Sequence, residues 1–206
     1  LDIQQLNDTL QDAFVHIVHG DAENDAFNRL VLTAGLAWRD VALLRAYARY
    51  LKQIRLGFDL GYIANTLLNH PDIARELVRL FKTRFYLARK LNADDLHDKQ
   101  HKLEQAILGA LDNVAVLNED RILRRYLDLI KATLRTNFYQ PDASGENKGY
   151  FSFKFDPSAI TDLPRPVPKF EIFVYSPRVE GVHLRFGNVA RGGLRWSDRR
   201  EDFRTE

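Results

Sequence analysis

The chain has 206 residues, 45% of them apolar and 28% charged, and a formal net charge of +2; this fits an ordinary globular protein and is too little charge to make a nucleic-acid or membrane surface by itself. It has no cysteine, which excludes a disulfide framework, a thiolate metal site and a cysteine nucleophile. It has no methionine and begins at Leu1, so a processed chain or an interior segment of a longer protein is expected. No apolar run approaches the roughly 18 residues of a spanning helix and nothing resembles a signal peptide, so a cytoplasmic location is expected.

Up to about residue 140 the apolar residues recur at helical period. Ile3, Leu6, Leu10, Phe14, Ile17 and Val18 form one stripe that ends at Gly20, and a short apolar helix is predicted from Asp25 towards Gly35. Val41, Leu44, Ala48 and Leu51 lie beside a second row of Leu43, Tyr47, Tyr50 and Ile54, with Arg45, Arg49 and Lys52 on the opposite face. That is the wide apolar face of a helix packed in a bundle. Residues 58–68 read as a shorter helix. Pro71 then stands at a first helical position, where a missing N–H is harmless, and that helix is predicted to run to about Leu91. A further helix is predicted over 96–116. Asn118 reads as an N-cap, and Asp120–Arg124 and Arg124–Asp128 read as surface pairs at i,i+4.

After Phe138 the period changes to two, and six of the seven prolines lie beyond residue 140. Phe151, Phe153 and Phe155 mark one strand. A second has Phe170, Ile172 and Val174 alternating with Glu171 and Phe173, and a third has Val182, Leu184 and Phe186. Asp198 followed by Glu201 matches a capping box and predicts a helix over 199–206, inside which the chain stops. The predicted class is α+β. A helical bundle region, 1–140, is followed by a small, mainly antiparallel or mixed sheet, 141–206, that begins an α/β catalytic domain and is truncated.

The segment richest in chemistry follows the third strand: Arg191, Gly192, Gly193, Leu194, Arg195 and Trp196, then Ser197 and Asp198. Two glycines let backbone approach a ligand closely. Arg191 and Arg195 can fork onto a carboxylate, and a helix start adds free N–H groups. The bland alternative is a glycine turn with solvated arginines. An RNA-binding Arg-Gly-Gly repeat does not fit, because the tripeptide occurs once and within apolar alternation.

Residues 185–206, RFGNVARGGLRWSDRREDFRTE, resemble the signature of the large bacterial NAD-specific glutamate dehydrogenases. FEIFVYSP at 170–177 and WRDVALLRAY at 38–47 are similar to that family as well. The resemblance implies a parent enzyme of amino-acid catabolism, cytoplasmic and homo-oligomeric, that oxidatively deaminates L-glutamate to 2-oxoglutarate and ammonia with NAD as cofactor. Smaller glutamate dehydrogenases carry Lys-Gly-Gly-x-Arg, whose lysine helps bind a substrate carboxylate. Arg191 stands at that lysine, and Gly192, Gly193 and Arg195 match the rest, so these four are the substrate-binding candidates that the resemblance implies. It places the catalytic lysine and the acidic proton-transfer residue beyond Glu206. No Gly-x-Gly-x-x-Gly follows a strand here, so no catalytic or cofactor-binding residue is expected in this chain, and alone it is expected to be inactive.

Other clusters are weaker. His97 and His101 share a helix face at a spacing zinc sites use, but no third ligand is evident and a solvated polar turn accounts for them. Asp142, Ser144 and Glu146 resemble a scrap of calcium loop with the wrong spacing. Arg121, Arg124 and Arg125 read as a solvated helix face. No metal, nucleic-acid or membrane partner is expected. The competing class is a helical interaction or regulatory module without a catalytic role.

Overall fold

The computed structural model describes residues 3–86, 92–189, 195 and 197–205. Helix α1 (Ile3–Val18) leads to a 3-10 turn (Ala26–Arg29) and the one-turn α2 (Leu30–Thr33). Asp25 caps this short element by accepting from the Phe27 N–H at 3.0 Å. The predicted stripe of α1 is only partly covered. Of the stripe, Leu6 and Ile17 are half-buried and Leu10, Phe14 and Val18 face outward, while Ala13, outside the stripe, is buried.

Helix α3 (Trp38–Gln53) is the centre of the fold, buried nearly all round. Arg45, which the periodicity puts on a polar face, is completely buried. The segment ahead of α2 folds over that side and supplies its partners. Arg45 Nε reaches Asp25 at 2.7 Å, and Nη2 reaches Asn28 Oδ1 at 2.7 Å and the Glu23 carbonyl at 3.3 Å. A buried guanidinium is tolerable only with such pairing. Burial works against the charged form, but these partners together hold the Arg45 guanidinium protonated, above its ordinary range.

Helix α4 (Leu60–Asn69) starts where Asp59 accepts from the Tyr62 N–H at 2.8 Å, and α5 (Pro71–Phe85) starts on Pro71 as expected. The expected end of that helix near Leu91 lies outside the described residues. Helix α6 (Ala93–Leu111) opens on Asn92, which accepts from the Asp95 N–H at 2.7 Å. Helix α7 (Leu117–Ala132) begins one residue before Asn118, so Val116 and not Asn118 holds the cap position. Of the expected surface pairs, Arg124 does meet Asp120 at 2.8 Å, but its other contact is Asp112 at 3.3 Å. Asp128 pairs instead with Arg125, which is buried and reaches Asp162 at 2.5 Å.

Among the described residues four strands follow as one antiparallel sheet in chain order: β1 (Thr133–Thr136), β2 (Phe151–Phe155), β3 (Phe170–Tyr175) and β4 (Glu180–Arg185). Strand β1 has no counterpart in the sequence reading; it continues α7 without a break, and its four residues are too few for a period to register. Phe151, Phe153 and Phe155 are all buried, as their alternation implies. On β3 the inward row is Glu171, Phe173 and Tyr175. Both rows of this strand are rich in apolar residues, so period two alone does not say which faces in.

Helices and sheet share one core, most of it aromatic where they meet. The ring of Tyr47 lies 5.0 Å from Phe153, and that of Tyr50 lies 4.4 Å from Phe155 and 5.4 Å from Phe173. The Thr133 hydroxyl donates to the Leu129 carbonyl at 2.7 Å, so the buried Tyr47 hydroxyl must be the donor in its 2.8 Å bond to Thr133. Burial pushes the Tyr47 phenol above its ordinary range, which keeps that donor protonated. This junction sets the sheet on α3 and thereby fixes where β4 ends.

Candidate functional site

Strand β4 and the described residues to Val189 precede the glycine-containing segment. The strand's last residue, Arg185, accepts from the Lys169 N–H at 2.7 Å, which ties the strand end to the chain entering β3. The Arg185 guanidinium then folds along the next residues, donating from Nε to the Gly187 carbonyl at 3.2 Å and from Nη2 to that of Asn188. Lys169 Nζ meets the side chain of Asn188. The entry root of the loop is therefore held by backbone pairing and by two cations.

Of the four candidate residues, Arg191, Gly192 and Gly193 lie outside the described residues. Arg195 is described, and it is exposed. An exposed arginine beyond a fixed strand end is available to an anionic ligand, onto which it can fork with two N–H groups.

The exit root differs from expectation. In place of a helix over 199–206 there is a 3-10 turn, Arg200–Asp202, whose cap position is Arg199 with no side-chain cap bond. Asp198 is exposed, and Ser197 Oγ accepts from the Arg199 N–H at 3.2 Å. Beyond the turn the chain re-enters the protein. Arg204 is buried, its Nε 2.9 Å from Oε1 and 3.2 Å from Oε2 of Glu171. Its backbone N–H donates to Gln53 Oε1 at 3.0 Å, while Gln53 Nε2 donates to the Arg200 carbonyl. At the rim, Arg55 Nη2 reaches the Thr205 hydroxyl at 3.0 Å. A cleft of about 290 Å³ opens here, between Arg55, Pro164, Phe186 and Arg204.

Glu171 and Gln53 were not legible as site residues. Glu171 is a single acid in an apolar strand, and Gln53 is the last residue of a helix; neither has a partner near in sequence. Burial holds the Glu171 carboxyl above its ordinary range against the pull of Arg204.

The weaker clusters have local explanations. His97 and His101 are exposed on α6. Among the described residues no group of three or more His, Asp or Glu side chains is placed to hold a metal. Asp142 Oδ1 accepts from the Ser144 N–H and hydroxyl and from the Glu146 N–H, so it closes its own turn and is held below the usual carboxylate range. The described residues do not fit a dinucleotide either. Their sheet is antiparallel throughout, whereas a dinucleotide fold needs a parallel βαβ unit with a glycine turn at the helix start.

Comparison with known proteins gives two family matches. Residues 106–206 match the family described as bacterial NAD-glutamate dehydrogenase, catalytic domain, and residues 22–87 match glutamate dehydrogenase, helical motif 3. Among curated proteins, the chain is 86% identical over its whole length to an NAD-specific glutamate dehydrogenase of Pseudomonas aeruginosa, covering 13% of that protein. It is 57% identical over its whole length to a protein of the same name from Halomonas elongata, covering 12% of it. Identity is 48% over 95% of the chain to the one from Mycobacterium tuberculosis, again covering 12% of that protein.

Proposed function

The chain belongs to the bacterial NAD-glutamate dehydrogenase family, and on that premise we propose that it is an internal segment of such an enzyme, contributing part of the glutamate site. The parent converts L-glutamate, NAD⁺ and water to 2-oxoglutarate, ammonium and NADH with release of a proton. Residues 1–140 serve as the helical support and 141–206 as the leading strands and substrate loop of the catalytic domain.

The observation that supports this reading is the anchoring of the described residues on either side of 190–194 and the exposure of Arg195. The end of β4 is paired with Lys169, and the turn at Arg200–Asp202 is followed by Arg204 bonded to Gln53. Arg191 and Arg195 bind substrate carboxylate as fixed cations, and Gly192 and Gly193 let the backbone come close. Two fixed cations suit a dicarboxylate, whose charge needs no reorganisation of solvent once it is bound. NAD supplies the hydride acceptor, and the groups that hold it lie outside the described residues. A cytoplasmic location and homo-oligomeric assembly belong to the same proposal. The outward row of Leu10, Phe14 and Val18 on α1 supports an interaction role for the helical part beside the catalytic one.

The test is kinetic. The full-length protein should reduce NAD in the presence of glutamate, and the 206-residue polypeptide alone should not. Turnover by the polypeptide alone would overturn its reading as a partial site. Absence of turnover in the full-length protein would overturn the reaction.

A further inference from the structure

We propose that Gln53 and Glu171 are positioning residues for the substrate loop, acting through the backbone of Arg200–Asp202 and through Arg204. The inference rests on the glutamate-site reading above.

A glycine-containing loop loses more conformational freedom on ordering than most, so a loop that must present two arginines needs both roots fixed. The entry root is fixed by sheet pairing. The exit root has no regular ladder, and the reason is visible in the side chain of Gln53. In an α-helix the N–H of residue 204 would donate to the carbonyl of residue 200. Here both groups are taken by one side-chain amide: Gln53 Oε1 accepts the Arg204 N–H, and Gln53 Nε2 donates to the Arg200 carbonyl. The amide stands inside the hydrogen bond that would have closed a helical turn.

That substitution ties the exit root to the end of α3, the most buried helix of the fold. Glu171 adds the second tie, from the sheet. It is fully buried in a row with Phe173 and Tyr175, and both of its oxygens face Arg204 Nε. The Tyr50 hydroxyl is buried beside the pair without a well-formed hydrogen bond to either member, so Arg204 is the partner that makes burial of this carboxylate tolerable. Two elements from opposite layers thus hold one short turn, which begins five residues after Arg195.

The experiment uses the full-length enzyme. Gln53→Leu keeps the bulk and removes both bonds to the turn; Glu171→Asp keeps the charge but shortens the reach. Both should raise KM for glutamate, lowering kcat/KM by about ten- to a hundredfold, with KM for NAD unchanged. Glu171→Asp should retain more activity than Glu171→Ala. The milder Arg55→Ala at the exposed rim, which folding should tolerate, should move glutamate KM in the same direction by a smaller factor. A lower kcat with glutamate KM at the wild-type value in all of these would overturn the positioning role. A wild-type enzyme without glutamate-dependent NAD reduction would instead overturn the reading on which the inference rests.

Discussion

Glu171 and Arg204 lie 33 positions apart and form a buried ion pair with the guanidinium Nε within 3.2 Å of both carboxylate oxygens. Neither charge has ready access to water, so each depends on the other. Removing one partner, as in Glu171→Ala, should cost about 3–5 kcal/mol, because it leaves a buried charge unmatched. The double variant Glu171→Leu with Arg204→Met should be much less destabilised than the sum of the singles. Urea unfolding of the four proteins in the cycle measures this. Additive losses would mean that the pair is not coupled.

The inward face of β3 is open to a direct test. Phe173 is fully buried against Tyr50, whereas Ile172 on the opposite face is only half-buried. Phe173→Ala should cost about 3–5 kcal/mol and Ile172→Ala about 1 kcal/mol. Equal or reversed losses in chemical denaturation would place the other row against the helices.

What could be read from the sequence follows from how local each signal is. The helices from α3 to α7 and three of the strands carry periods that mark them as elements, though only on β2 does the apolar row name the buried face, and Asp25 and Pro71 mark helix starts by their own chemistry. The failures have a common cause. Arg45, Arg125 and Glu171 are charged residues buried because a distant segment brings the opposite charge, and periodicity carries no information about such partners. The capping box at Asp198 fails likewise, since Gln53, far away in sequence, takes the groups that the helix would need. Arg191 to Arg195 stand out as a motif through resemblance, while the side chains that hold the root of their loop do not.

Glu180 provides a pH test. It is buried at the start of β4, and that burial holds its carboxyl above the ordinary range, against the pull of Arg49 and Gln53. The folded chain therefore keeps this proton to higher pH than the unfolded chain does. The stability this group contributes is present in full below the ordinary carboxylate pKa, and it is lost as pH rises through the raised one. Glu180→Gln does not titrate. Its stability relative to the wild type, read from the unfolding midpoint, should therefore rise as pH climbs from the ordinary carboxylate pKa through the raised one. A difference, variant minus wild type, that stays constant or falls as pH rises would contradict the assignment.

The central claim is that the 191–195 loop binds the carboxylates of the substrate. The most direct measurement is calorimetric titration of the full-length enzyme and its Arg191→Ala variant with 2-oxoglutarate and, separately, with NAD. Loss of charge-assisted hydrogen bonds of about 1.5–3 kcal/mol predicts 2-oxoglutarate binding weaker by roughly ten- to a hundredfold, with NAD affinity unchanged. Equal losses for both ligands, or no loss for 2-oxoglutarate, would contradict it.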